Sequence, residues 1–113
     1  MDVDEAARRL AELGNVTRLS IVRLLVRAGR EGLAVGEIQS SLDVPASTLS
    51  FHLRGLVTAG LVEQEREGRT VRCRAKMAAL NDTLSFVKEH CCAGVSAEDA
   101  TPGGRRSRRR SAA

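Results

Sequence analysis

Two cysteines stand side by side near the end of the chain, in Glu89-His90-Cys91-Cys92. Thiolates are soft ligands, suited to thiophilic centres such as trivalent arsenic, antimony or bismuth. Neighbours on a helix point about 100° apart. A fraying helix C-terminus nevertheless lets both sulfurs face one ion. The alternative is packing, with Cys91 extending a stripe of Leu80, Leu84 and Val87 as a small hydrophobe. That explains Cys91 and leaves Cys92 without a role. The negative end of a helix dipole disfavours thiolates. Lys88 and His90 partly offset it, and binding itself displaces the proton.

Cys73 is the third thiol. Arsenite can form three arsenic–sulfur bonds, whereas a methyl or aryl arsenical has one position taken by carbon and needs two. Cys73 is therefore a candidate third ligand. Its alternation with Val71 and Ala75 instead predicts an inward, packed side chain. On that reading the protein supplies two ligands, and organoarsenicals match as well as arsenite. No Cys-x-x-Cys and no anion-binding loop accompany the thiols, which argues against a small dithiol metalloid reductase and against an enzyme generally. Three cysteines among 113 residues are too few for a metal buffer. With only His90 on the last helix, a zinc site is poorly supplied.

Helical periods dominate the elements that must position these groups. Val3, Ala6, Ala7, Leu10 and Leu13 define a first amphipathic helix ending near Gly14. Asn15 caps a second, which carries Leu19, Ile21, Val22, Leu25 and Val26 and stops at Gly29. After a turn over Gly29–Gly32, Leu33-Ala34 forms a very short strand, and Val35–Leu42 a short helix. Pro45 opens another helix, about Ala46–Ala59, whose Leu49, Leu53, Leu56 and Val57 make one core-facing stripe. Gly60 ends it. Two strands around Glu67-Gly68-Arg69 form a hairpin. A last helix runs over about Met77–Cys92 and closes near Gly94. The ordered domain is residues 1–94. Residues 95–113, rich in Ala, Ser, Gly and Arg, are expected to be a disordered tail.

The net charge of +4 is unevenly distributed. In residues 46–76, Arg54, Arg66, Arg69, Arg72, Arg74 and Lys76 against Glu63, Glu65 and Glu67 leave +3. The five arginines between Arg105 and Arg110 make the last eleven residues +5, and everything before residue 103 totals −1. Only 2% of residues are aromatic, which argues against stacking platforms for single strands or RNA. Apolar runs fall far short of the ~20 residues of a membrane span, and no basic-then-apolar leader opens the chain. An odd number of cysteines speaks against a disulfide framework. A cytoplasmic protein facing duplex DNA is the expectation.

The helix over 46–59 has what DNA reading requires. It buries one stripe and presents Ser47, Thr48, Ser50 and Arg54 on the other side, with Phe51 outward to meet thymine methyls. The arginines Arg66, Arg69 and Arg72 of the hairpin would meet phosphates or a minor groove. His52 sits beside the core stripe, so a packed, hydrogen-bonded role is expected in place of base reading. The fold expected is mainly α with a small β-hairpin, a winged helix-turn-helix.

The sequence resembles the ArsR family of winged-helix repressors. The resemblance covers about Leu10 to Cys92. It rests on Leu13-Gly14-Asn15-Val16-Thr17-Arg18-Leu19, Ser47-Thr48-Leu49-Ser50-Phe51-His52-Leu53, Ala59-Gly60-Leu61-Val62 and Glu67-Gly68-Arg69. It implies a homodimer joined by the first and last helices, bound to an imperfect inverted repeat in double-stranded DNA and released by an inducer. It also assigns Cys91 and Cys92 as metalloid ligands. The inducer expected is arsenite or an organoarsenical, with antimonite a further candidate and no cofactor required. A thiol-redox or other soft-metal sensor of the same fold is the alternative.

Overall fold

The computed structural model describes residues 1–96. The Arg-rich segment, apart from Val95 and Ser96, lies outside the described residues. Local capping chemistry sets the first elements. Asp2 Oδ1 accepts from the Glu5 amide at 2.8 Å and starts α1, Val3–Leu13. Asn15 Oδ1 accepts from the Arg18 amide at 3.0 Å and starts α2, Val16–Ala28. Both side chains satisfy amides that a helix start leaves unpaired.

A 3₁₀ turn, Gly29–Glu31, leads into β1, Leu33–Ala34. The short helix α3, Val35–Leu42, follows. The Glu37 carboxylate reaches back to the Ala34 amide at 2.8 Å, closing its first turn. Asp43 then takes a left-handed conformation (φ 55°), which turns the chain toward α4, Ala46–Thr58. Asp is among the few non-glycine residues that accept that region. Pro45, at φ −64°, needs no adjustment to lead into a helix.

β2, Val62–Glu67, and β3, Thr70–Ala75, pair antiparallel around Gly68 and Arg69. Gly68 has φ 66° at the first loop position, as a type II′ turn demands. β1 joins the other edge of β3, with Leu33 opposite Cys73, so the expected hairpin is part of a three-stranded sheet in the order β1-β3-β2. α5, Met77–Lys88, completes the chain.

The core lies between α2, α3, α4 and the sheet. Ile21, Leu25, Ile38, Leu49, Leu56, Leu61, Val62 and Cys73 are buried in it. The stripe of α4 holds for Leu49, Leu53 and Leu56, but Val57 is displaced to the edge of the helix and is exposed. The terminal helices behave differently. α1 buries only Ala6, and leaves Val3 and Leu10 exposed. α5 buries Ala79, Leu80 and Thr83, while Leu84 and Val87, expected to continue the Leu80 stripe, are more than half exposed. The two helices pack side by side, so one chain leaves apolar side chains of both uncovered. Among the described residues, no helix is long and apolar enough to cross a membrane.

Candidate nucleic-acid interface and thiol pair

The residues of α4 that avoid the core stripe fall on one outward side. Ser47, Ser50, Phe51 and Arg54 are exposed and Thr48 is half-buried; Phe51 is 62% exposed. A large aromatic in that position is uncovered by the chain itself. Arg54 separates two depressions. One, of about 700 Å³, runs between α4 and the hairpin and is lined by Ser50, Arg54, Thr58, Gln64, Arg69 and Thr70. The other, of about 410 Å³, lies between α1 and α4 and includes Arg8, Arg18 and Phe51. Short hydroxyls, one aromatic and long cations therefore share one continuous surface.

The hairpin sorts its arginines by face, because directly paired residues point the same way. Arg66 opposes Val71, on the side that carries Cys73 toward the core. Arg69 sits in the tip and lines the cleft with Arg54. Arg72 opposes Glu65 on the other side, among Glu63, Glu67 and Arg74. There its Nε donates to Glu67 Oε1 at 3.0 Å and another guanidinium nitrogen donates to the Glu31 carbonyl at 3.2 Å. Arg74 likewise donates to Glu65 at 2.8 Å and to the Arg30 carbonyl at 2.7 Å. Glu67 raises the Arg72 pKa further, through the hydrogen bond and its charge. Arg72, expected with Arg66 and Arg69 to meet phosphates or a minor groove, is thus engaged within the chain by Glu67 and the Glu31 carbonyl. Strand alternation puts it on the face opposite Arg66, where carboxylates and the 3₁₀ turn occupy it.

Two cations that carry no local signal in the sequence hold α4 in place. Arg18 of α2 donates to the Glu12 carbonyl at 2.7 Å and meets His52 Nδ1 at 3.1 Å. His52 is therefore a hydrogen-bonded residue on the flank of α4, as expected. Glu12 Oε1 is buried without a hydrogen bond, 3.2 Å from Arg18 Nε. A Cβ on Gly55 would come within 2.5 Å of that oxygen, so any larger residue there would require the Glu12 carboxylate to move. At the other end of α4, Arg9 Nε donates to the Ala59 carbonyl at 3.0 Å. The spacing of Arg9 and Arg18 on amphipathic helices gave no sign of these partners, since both pair with elements more than thirty residues away.

The thiol pair lies elsewhere than a helix end. α5 stops at Lys88, four residues short of the expected limit, and Glu89 is already extended (φ −54°, ψ 140°). The cause is local. A carboxylate at Glu89 opposes the negative end of the helix, and His and Cys are weak helix formers. His90 (φ 62°) and Cys92 (φ 64°) both take positive φ, and the Ala93 amide closes a turn onto the His90 carbonyl at 3.1 Å. This turn, and not fraying of a helix, brings Cys91 Sγ to 3.1 Å from Cys92 Sγ, both exposed. The hydrogen bond that the Cys91 thiol makes to Cys92 is the main cause that raises the Cys91 thiol pKa. Cys73 is fully buried in the sheet, where Gln64 Nε2 approaches its sulfur at 3.6 Å, and burial raises its pKa. Among the described residues, no three His, Cys, Asp or Glu side chains gather as a metal site.

Comparison with known proteins agrees with this architecture. Residues 13–65 match a helix-turn-helix domain family. The chain is 33% identical to an ArsR-like transcriptional regulator from Rhodococcus sp. RHA1, with a TM-score of 0.66 over 75% of this chain and 77% of that one. The chain belongs to the ArsR family of transcriptional regulators. The homodimeric winged helix-turn-helix DNA-binding domain from Mycobacterium bovis is 29% identical, with a TM-score of 0.60 over 79% of this chain and 87% of that one. A putative arsenical resistance operon repressor from Halobacterium salinarum is 41% identical over 78 residues, 64% of this chain and 60% of the relative. The match thus spans less than two thirds of that repressor's length. As an ArsR-family chain, the protein is a DNA-binding regulator of transcription built as a winged helix-turn-helix.

Proposed function

We propose that this ArsR-family protein is a homodimeric repressor that binds an imperfect inverted repeat and is released when a trivalent arsenical bridges Cys91 and Cys92. Ser47, Thr48, Ser50, Phe51 and Arg54 read the major groove, and Arg66 and Arg69 contact the backbone or minor groove. The uncovered side chains of α1 and α5 supply the dimer contact. Half-sites about one helical turn apart follow from the two-fold axis.

The observation that carries the inducer assignment is the 3.1 Å separation of the two sulfurs. With bonds of about 2.3 Å, as thiolates make to zinc, that span corresponds to an angle of about 85° at the bound atom. A tetrahedral metal needs its sulfurs roughly 3.8 Å apart at the same bond length. A pyramidal main-group centre, whose bonds lie near right angles, suits the shorter span. Binding of a methyl arsenical then forms two arsenic–sulfur bonds and expels two waters from its hydroxyl groups, with arsenic remaining trivalent. Two thiols suffice, and the burial of Cys73 favours an organoarsenical over a three-sulfur arsenite complex.

Operator release by methylarsenite and by arsenite, in the parent, in Cys73→Ser and in Cys91→Ser/Cys92→Ser, tests the assignment. The expected result is release of the parent and of Cys73→Ser, with the double variant holding DNA in the presence of either compound. Release of the double variant would place the inducer elsewhere. The closeness of the sulfurs favours one second reading, oxidation by a peroxide to a disulfide with production of two waters. Release by peroxide, and none by the arsenicals, selects it.

A further inference from the structure

Arg9 is the one side chain that hydrogen-bonds both to the end of the reading helix and to α5 among the described contacts. Its Nε donates to the Ala59 carbonyl at 3.0 Å, and a second guanidinium nitrogen donates to Thr83 Oγ1 at 3.4 Å. Glu5, one turn earlier on α1, steadies the third nitrogen at 3.3 Å. The Ala59 carbonyl belongs to the last turn of α4, where backbone acceptors have no helical partner and carry partial negative charge. A guanidinium there makes a charge-assisted bond that also complements the dipole.

Both ends of the bridge are built. Thr83 is fully buried, and its hydroxyl donates to the Ala79 carbonyl at 2.8 Å, which leaves the oxygen as acceptor for Arg9. Gly60 follows Ala59 at φ 81°, and a Cβ there would press on the Arg9 guanidinium at 3.3 Å. The residue that ends α4 is thus also the one that leaves room for the bridge. The Arg9 side chain is only 15% exposed, so its bonds are shielded from competing water.

We propose that Arg9 is a positioning residue that ties the placement of α5 to the placement of the reading helix. α5 ends next to the thiol turn and presents the uncovered apolar side chains. A shift of α5 therefore moves Thr83, draws on the guanidinium, and is felt at the Ala59 carbonyl. Lysine keeps the charge but lacks the planar fork that spans two acceptors. The part concerning inducer rests on the arsenical reading of Cys91 and Cys92; the mechanical link does not.

The test uses the full-length dimer with Arg9→Lys and Thr83→Val. Amide exchange is measured at Ala59, Gly60 and Leu61, and operator affinity is measured with and without methylarsenite. Thr83→Val is expected to speed exchange at these three amides at least tenfold. In both variants, the ratio of operator affinities without and with methylarsenite is expected to fall at least tenfold while arsenic binding stays at the parent level. Unchanged exchange in Thr83→Val together with an unchanged ratio overturns the proposal. If the parent is not released by methylarsenite, exchange alone decides: faster exchange upholds the link while the arsenical reading fails, and unchanged exchange ends the link too.

Discussion

Arg18 and His52 meet at 3.1 Å between a guanidinium nitrogen and the ring Nδ1. Guanidinium only donates, so Nδ1 accepts and the neutral ring carries its proton on Nε2. The contact joins α2 to the middle of α4, while the same arginine holds the end of α1 through the Glu12 carbonyl. Arg18→Ala is expected to cost about 1–3 kcal/mol, because it strands acceptors in a part-buried position. Urea denaturation measures that loss. Nitrogen chemical shifts of His52 should report the Nε2–H form in the parent.

The division of the hairpin arginines predicts unequal effects on DNA. Arg54→Ala and Arg69→Ala should each weaken operator binding about tenfold or more at moderate salt. Arg72→Ala should leave affinity within about twofold and lower stability only slightly, since solvent screens exposed ion pairs. Fluorescence anisotropy with a duplex operator separates the two outcomes. An Arg72 effect as large as that of Arg54 would return it to the DNA surface.

Cys91 is held above the ordinary thiol range first by its hydrogen bond with Cys92. The thiolate is the reactive form, so alkylation of Cys91 should accelerate with pH up to a midpoint above that of an unperturbed cysteine. Cys92→Ala removes the raising cause and should move the midpoint down. Mass-spectrometric rates of iodoacetamide labelling from pH 6 to 10 give the profile.

Cys73 predicts a pH dependence of stability. Burial raises its folded pKa, so the fold favours the neutral thiol. Below about pH 8.5 both states hold the proton and the contribution is full. As pH rises further, the unfolded chain loses its proton first, and stability falls. Denaturation midpoints at pH 7.5 and 10 should show a steeper decline for the parent than for Cys73→Ala, which retains Cys91 and Cys92.

Much of this arrangement was legible from residue order. Helix starts at Asn15 and Pro45, the outward Phe51 and the inward Cys73 follow from capping chemistry and from periods of 3.6 and 2. Val57 continues the apolar stripe of α4, but a stripe does not say how wide the neighbouring surface is, and its flank emerges at the edge of the helix. The alternation that placed Cys73 inward already separates Arg66 from Arg72, so that distinction was present in the strand and only needed the register. The end of α5 was harder, because the Leu80–Cys91 spacing is helical while Glu89, His90 and Cys92 oppose a helix in conformation. Arg9 and Arg18 were invisible, since partners across the fold leave no trace in local spacing.

Gly32 shows how tightly β1 meets the sheet. Its φ is 63°, and any Cβ would overlap the Cys73 carbonyl oxygen. Gly32→Ala is expected to lose about 2–4 kcal/mol from strain and displaced backbone. At a Tm shift of several degrees per kcal/mol for a domain of this size, the drop should be roughly 10 °C or more by calorimetry.

The pairing of Leu33 with Cys73 has a kinetic consequence. α3, the turn at Asp43, α4 and β2 all lie on the stretch of chain between those two residues, so the helix-turn-helix is an excursion whose two ends are fastened together. Closing so long a loop is entropically costly and must precede the contacts that reward it. Packing of α4 is therefore expected to become complete only with the sheet, and a chain that ends before β3 is expected to carry the helix-turn-helix sequence without that clasp.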